Sequence, residues 1–436
     1  MISTTDYKPI IILDDDPTGS QSVTNVPVLS DWSEASIRVE LEKKSHIFFI
    51  ITNSRALTKD EAAQLNEDIG KSISSLIDNF YIISRGDSTL RGHFFYEVDS
   101  LAKGLNWDKE NYLTVFLPAF IEGNRLTKDN THYLVDQESW IPVHQTPYAQ
   151  DKTFGYQHSN LVQFILEKTI NLINENEIQS LSIANLEKSD TLFILEKIKA
   201  ATKYLIVNAL TYEHIDRFAS IVKYSERKII FRTSASFAAS FGGVKSTKLL
   251  SKEEIYCISP SESGGLIVVG SHVPNTSAQF DHLMQSGIKA IELEVEMLLD
   301  KQTEIEDYLK NLALQIDYFL GIKEDVVLYT SRKLITAQDE TASLKLSLKT
   351  SNSLVSIVKS LNVKPKFIIS KGGITSSDIA TYGLSIKRAI VLGQVEKGIS
   401  VWQTDESSKF PLMPFIVFPG NVGTRDTLKN VYDKVR

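Results

Sequence analysis

The chain has 436 residues, 42% apolar and 23% charged, which is the balance of an ordinary globular protein and excludes a disordered, collagen-like or coiled-coil chain. At roughly 100–200 residues per domain this length exceeds a single core, and two large domains are expected. The formal net charge of −7 argues against a general nucleic-acid or anionic-membrane surface, which needs a basic face, but leaves room for a local basic pocket.

Short apolar runs recur along the first half, separated by helix-like stretches. Residues 9–13 (PIIIL) run into Asp14-Asp15-Asp16, and residues 46–52 (HIFFIIT) into Asn53-Ser54-Arg55. Residues 80–84 (FYIIS) run into Arg85-Gly86-Asp87, and Tyr112–Leu117 (YLTVFL) into Pro118-Ala119. Runs that are apolar on both faces predict buried parallel strands. The stretch 59–77 between two of them has the period of an amphipathic helix, so the alternation predicts an α/β domain. The pattern is less clear over 201–245, where 204–208 and 228–231 read as two further strands. A linker is expected within 240–265, where Gly242-Gly243 and SPSESGG (259–265) cluster. A second series follows, with strands at 266–269, 326–329, 367–370 and 415–418. The fold class expected is therefore α/β: two α/β domains, 1–245 and 246–436, with mostly parallel sheets facing a shared cleft.

Polar and glycine residues gather just after these strands, and open α/β sheets bind ligands at the carboxyl ends of their strands. Three adjacent carboxylates, Asp14 to Asp16, repel one another and are costly unless something uses the charge: general-base catalysis, hydroxyl binding or Mg²⁺ coordination. The plainer alternative is a helix N-cap with two solvated acids. Arg55, Arg85 and Arg91 follow the second and third strands and are suited to gripping a carboxylate in bidentate fashion. Asp87 and Ser88 beside them can hold sugar hydroxyls. The arginines could equally pair with Asp14–Asp16, and one site can do both. Asn124 and Arg125 come after the next strand and add to the same pocket; His132 and His144 read as surface or satisfied loop residues.

The second half has no Walker A run and no G-x-G-x-x-G, which disfavours a P-loop NTPase or an ordinary Rossmann dehydrogenase. It has other glycine turns after strands: Gly270-Ser271, Lys371-Gly372-Gly373-Ile374-Thr375-Ser376, and Gly420 to Gly423 running on to Arg425. Such turns let backbone N–H groups approach a phosphate, and a following helix start adds free donors. Ser271, Thr375 and Ser376 could donate further bonds and Lys371 could add charge. Cys257 is the one cysteine, so no intrachain disulfide or Cys-rich zinc site is expected and a reducing cytoplasm fits. Neither a signal-peptide pattern nor an apolar run of membrane-spanning length is seen.

These residues together resemble the four-carbon acid sugar kinase family, the group formerly called DUF1537. The resemblance runs nearly end to end. It rests on IILDDDPTGS (11–20), TNSR (52–55), RGDSTLRGHF (85–94), LPAFIEGNR (117–125), VVGSHVPNTSAQ (268–279), KGGITSSDIA (371–380) and FPGNVGTRDTL (418–428). It implies an N-terminal domain for a sugar acid and a C-terminal domain for ATP with Mg²⁺, and phosphoryl transfer to an alcohol group. Asp15, Asp16 and Thr18 match the acid–Thr–Gly turn, with Asp16 or Asp15 as proton acceptor. Arg55, Asp87, Ser88 and Arg91 match the substrate motifs, with Arg85 beside them. Ser271, Gly372, Gly373, Thr375, Gly420 and Gly423 match the nucleotide motifs, with Lys371 and Ile374 in the same run. Three positions depart from the family pattern: Ile374 replaces an acid, Phe418 a lysine and Arg85 a lysine. They imply a divergent subgroup. The expected partners are a small sugar acid and ATP, with no nucleic acid and no membrane, and a homodimer as the assembly to test.

Two rivals remain at this level. Asp14-x-Asp16-x-Thr18 after a hydrophobic strand also fits a haloacid-dehalogenase-type phosphatase, with Asp14 as nucleophile and Asp16 as acid/base. No late acidic pair accompanies it, and the glycine turns go unexplained. The other rival is a non-catalytic sensor of acid sugars.

Overall fold

The computed structural model describes residues 7–107, 111–246, 248–256, 261–270, 273–298, 302–332, 340–420 and 422–436. The chain forms two compact units, one of residues 1–22 and 31–245, the other of residues 23–30 and 246–436.

In chain order the strands before residue 245 are β1 (Ile10–Asp14), β2 (Val26–Leu29), β3 (Ile47–Ile51), β4 (Tyr81–Arg85), β5 (Tyr112–Leu117), β6 (Arg125–Lys128), β7 (Thr131–Asp136), β8 (Ser139–Pro142), β9 (Ile178–Leu181), β10 (Tyr204–Val207) and β11 (Lys228–Thr233). The first unit is built on a parallel sheet in the order β3-β1-β4-β11-β5-β10-β9. β1 is IIILD, buried at every position. β-Branched residues favour the extended pleat, and helices on both faces explain why the run does not alternate with polar residues. One of those helices, Lys59–Leu76, starts at a capping box between Thr58 and Glu61 and buries Ala62, Leu65, Ile69, Ile73 and Leu76. In register, Asp14 of β1 stands beside Ile51 of β3 and Arg85 of β4, and Arg85 stands beside Thr233 of β11. The strands therefore bring their carboxyl ends, and the charged residues there, to one edge. A small antiparallel sheet, β6-β7-β8, belongs to the same unit.

The second unit adds β12 (Leu266–Val269), β13 (Lys289–Leu293), β14 (Val326–Thr330), β15 (Ile368–Lys371), β16 (Arg388–Glu396), β17 (Ile399–Thr404) and β18 (Pro414–Phe418). Strands β13-β14-β12-β15-β18 are parallel; β17, β16 and β2 continue the sheet antiparallel. Its core packs Ile267, Val269, Ile369, Ile416 and Phe418 against Leu428 and Val431 of the helix Thr427–Val435. Both units are thus α/β with mostly parallel sheets, as the apolar runs predict. Among the described residues no helix is long and apolar enough to cross a membrane.

Candidate active site

Asp14, at the end of β1, is fully buried, and its Oδ1 accepts from Arg85 Nη1 at 3.0 Å and from the Asp16 amide at 3.1 Å. Gly19 lies against it so closely that a Cβ there would sit 1.9 Å from Asp14 Oδ2, so the turn needs glycine. Asp15 is also buried; its Oδ1 is 3.3 Å from Arg55 Nε and 3.7 Å from Arg85 Nη1. Its Oδ2 has no hydrogen-bond partner among the described residues, and Gly92, at φ +116°, leaves that oxygen room. Asp16 is partly exposed. Its Oδ1 accepts from the Thr18 amide at 2.7 Å and the Thr18 hydroxyl at 2.6 Å, and its Oδ2 pairs with Arg55 Nη2.

Arg55 leaves the sheet in the short turn after β3, its amide reaching back to the Asp15 carbonyl at 3.5 Å. Its Nη1 stands 4.0 Å from Asp87, whose other oxygen accepts from Arg91 Nε at 2.8 Å and from the Thr89 hydroxyl. Ser88 is buried, and its carbonyl takes Nε2 of His132 at 2.8 Å. His132 is fully buried and satisfied at both nitrogens, with Thr127 on Nδ1 at 2.9 Å. Burial pulls its pKa down to about 4, so the ring is neutral at pH 7 and is a structural link. His144 is also satisfied, sharing Ser159 Oγ at 2.7 Å.

Burial pushes the Asp14 carboxyl up to about 6 despite Arg85, and Asp16 adds to the rise. Burial pushes Asp15 up to about 7 against the pull of Arg55, with Glu97 adding to the rise. Burial acts on Asp16 in the same sense, but Arg55, the Thr18 hydroxyl and Arg85 outweigh it and hold the group below the usual carboxylate range. Asp87 is likewise held well below that range, because Arg55 and Arg91 overcome its burial. Neighbouring carboxylates are thus driven to opposite sides of their ordinary value by burial on one side and by guanidinium and hydroxyl partners on the other.

Two residues that the sequence reading omits complete the network. Arg232 of β11 is buried and bonds Glu97 at 2.8 Å and Ser84 Oγ at 2.8 Å, while Glu97 also accepts from Ser54. Arg232 follows the KIIF run directly and stands in register beside Ser84, one residue before the level of Arg85. Glu97 sits on the buried stripe Phe94, Val98, Leu101 of the helix Phe94–Gly104. A charge on an apolar stripe was the available signal for both.

In the second unit β15 ends at Lys371, which is fully buried. Its ammonium donates to the carbonyls of Pro419 at 2.8 Å and Gly420 at 3.0 Å and lies 4.1 Å from the centre of the Phe418 ring. Burial pulls it down to about 7. Gly372, at φ +127°, opens the short helix Gly373–Asp378, and its amide donates to the Phe418 carbonyl at 2.8 Å. Ile374 is exposed there, Thr375 is half-buried beside Gly270, and Ser376 is buried with its hydroxyl on the Ser370 and Gly372 carbonyls. The helix Pro274–Met284 holds the loop after β18: Thr276 donates to Gly420 O at 3.2 Å, Asn275 to Gly423 O at 3.2 Å, and Gln279 to Val422 O at 3.0 Å and Thr424 O at 2.8 Å. Gly423 is exposed, at φ +85°. Ser271 lies outside the described residues.

The structure thus brings Asp15, Asp16, Thr18, Arg55, Arg85, Asp87, Ser88 and Arg91 to one edge of the first unit. It brings Lys371, Gly372, Gly373, Ile374, Thr375, Gly420 and Gly423 around the ends of β15 and β18 in the second. Among the described residues no group of three or more His, Cys, Asp or Glu is placed to hold a metal ion.

An α/β unit with an acid–guanidinium edge, followed by an α/β unit with glycine turns at its strand ends, defines a two-part protein for a small polar ligand and a phosphate-bearing one. A model of a sugar-binding N-terminal domain matches residues 10–241, and a model of a nucleotide-binding C-terminal domain matches residues 266–428. The chain belongs to the four-carbon acid sugar kinase family, the DUF1537 group. Among solved structures it is similar to the Haemophilus influenzae protein HI1011, a DUF1537 protein, at 15% identity and TM-score 0.68, over 98% of this chain and 100% of that one. It is also similar to a Salmonella typhimurium LT2 protein provisionally named a tRNA synthase, at 13% identity and TM-score 0.74, over 97% and 98% of the two chains. At these identities the likeness concerns the fold. No curated protein gives a match.

Proposed function

We propose that the protein is an ATP-dependent kinase that phosphorylates a hydroxyl of a small sugar acid such as threonate, erythronate or an oxo-tetronate. In this reading the piece 1–245 binds the acid and the piece 246–436 binds the nucleotide. The observation that carries it is the divided carboxylate edge: Asp16 held ionised at the surface by Arg55 and Thr18, with Asp14 and Asp15 buried behind it and pushed up. The substrate hydroxyl gives its proton to Asp16 as its oxygen attacks the γ-phosphorus; the bond to the β–γ bridging oxygen breaks and ADP leaves. Arg55 and Arg91 face the acid, and Asp87 and Ser88 orient its hydroxyls. Mg²⁺ enters with ATP as the metal–nucleotide substrate, while Arg55 and Arg85 pair with Asp14 to Asp16. Phosphoryl transfer rests on positioning and electrostatics, and a rigid charged edge supplies both.

The phosphatase reading needs an Asp14 oxygen open to a phosphoryl group. Asp14 is fully buried and closed over by Gly19, which counts against it.

ADP release from Mg²⁺-ATP, measured over D- and L-threonate, D- and L-erythronate and their 2- and 3-oxo forms, tests the proposal. One acid should drive release, and Asp16→Asn should reduce it at least ~100-fold, the scale of a lost general base, with ATP binding kept. Near-normal turnover of that variant refutes the base assignment. Silence over the whole panel with ATP bound refutes the substrate class, and silence with no ATP bound favours the sensor.

A further inference from the structure

Five guanidiniums lie on or next to the acid–guanidinium edge, and four have protein carboxylates within 4 Å. Arg55 serves Asp15, Asp16 and Asp87; Arg85 serves Asp14 and Asp15. Arg91 serves Asp87, and Arg232 serves Glu97. Arg125 is different. Among the described residues it has no carboxylate partner and no side-chain hydrogen bond, and its Nε is buried without a partner. The side chain is nevertheless held in place. Its backbone exchanges hydrogen bonds of 2.9 and 2.7 Å with Phe120, across a turn in which a Cβ on Gly123 would sit 2.1 Å from Arg125 Nη1. The guanidinium lies 5.9 Å from the centre of the Phe120 ring and 6.0 Å from that of Tyr148. Arg91 lies 5.1 Å from the same Tyr148 ring while its Nε bonds Asp87. Tyr148 therefore stands between an arginine bound to the site and an arginine without a counter-charge.

We propose that Arg125 is the specificity-determining residue of the site: it receives the carboxylate of the acid substrate, with Arg91 and Tyr148 forming the wall beside it. This rests on the sugar-acid reading above. A planar guanidinium fork matches a carboxylate with two parallel bonds, and a cation already pressed on aromatic faces is cheap to desolvate further. The other four arginines compensate protein carboxylates, so Arg125 is the one whose positive charge is left for a ligand.

The test is calorimetric binding of the four-carbon acid panel to the full chain, without nucleotide, in wild type, Arg125→Gln and Arg125→Lys, together with melting temperature and ATP affinity. Arg125→Gln should weaken binding of the preferred acid at least tenfold, Arg125→Lys should recover part of the loss, and ATP affinity and melting temperature should hold. In turnover the loss should fall on KM with kcat changed much less. Binding within twofold of wild type in Arg125→Gln overturns the assignment. So does a loss that Arg125→Lys leaves uncorrected and that tracks a lowered melting temperature, because that is a packing role. If the wild-type protein itself binds none of the acids, the sugar-acid reading has failed and this inference with it, and the variants are not needed to see it.

Discussion

Asp15 shows how one residue's surroundings set a measurable pH dependence. Burial raises it to about 7, so the folded protein keeps a proton there at pH 5 that the unfolded chain, with an ordinary aspartate, has already released. Unfolding then releases a proton, and stability from this group, full below the ordinary aspartate range, falls as pH rises towards 7 and beyond. Asp16 and Asp87 act in the opposite sense: both are held low, so their stabilisation is present at neutral pH and is lost in acid. Asp15→Asn removes only the first dependence. The melting temperature of the variant relative to wild type should therefore climb between pH 5 and pH 8, where the wild-type carboxylate is forced to ionise in a buried place. A difference that stays flat across that range would mean Asp15 titrates as an ordinary surface acid, and the divided edge would lose its central member.

At the scale of the element, the loop after β18 is held from inside. Lys371, Thr276, Asn275 and Gln279 between them occupy the carbonyls of residues 419, 420, 422, 423 and 424. Lys371 is therefore a brace within the loop, its charge spent on backbone carbonyls. Gln279 is fully buried and supplies two of these bonds, so Gln279→Leu leaves two carbonyls unpaired at about 1–3 kcal/mol each. If the loop is the nucleotide cradle, ATP affinity should fall at least tenfold while acid binding to the first unit is unchanged. Unchanged ATP affinity beside a lowered melting temperature would leave the loop as scaffold alone. Strands such as β1, β15 and β18 were legible because they are buried on both faces and read as unbroken apolar runs. β2 was not, because Pro27 interrupts VPVL; the antiparallel pairing of Pro27 with Ile390 is a contact 363 residues away that no local pattern announces. β16 was hidden by Gly393 and Gln394, where the pairing with β17 shifts register. The site followed the same rule. Asp14 closes β1, and Asp15, Asp16, Arg55 and Asp87 stand in turns after strands, so they could be read, whereas Glu97 and Arg232 find each other only through the packing of a helix on a strand.

For the whole molecule, the chain enters the second unit twice. Residues 23–30 leave the first unit at Ser22, join the second, and return at Asp31, so the second unit is assembled from two distant pieces of sequence. Leu29, Val28, Pro27 and Val26 pair in register with Arg388, Ala389, Ile390 and Val391, and Thr24 donates to the Leu392 carbonyl at 2.7 Å. Val26, Val28 and Leu29 are each buried to within 2% of fully. At about 1.5–3 kcal/mol per buried side chain, these three contribute on the order of 5 kcal/mol, comparable with the whole stability of an ordinary domain. Cutting between residues 245 and 246 also leaves β16 with a bare apolar edge, Ala389 and Val391 uncovered, which is a template for aggregation. Residues 246–436 expressed alone should therefore aggregate or melt well below the intact protein. The same piece carrying residues 22–31 on a flexible N-terminal linker should be monomeric by gel filtration and melt as one transition. If the bare piece is soluble, monomeric and equally stable, the early strand is ornament on a self-sufficient fold. If only the extended piece survives, residues 23–30 are part of the second unit's core, and a functional dissection of the two halves has to carry that strand across the cut.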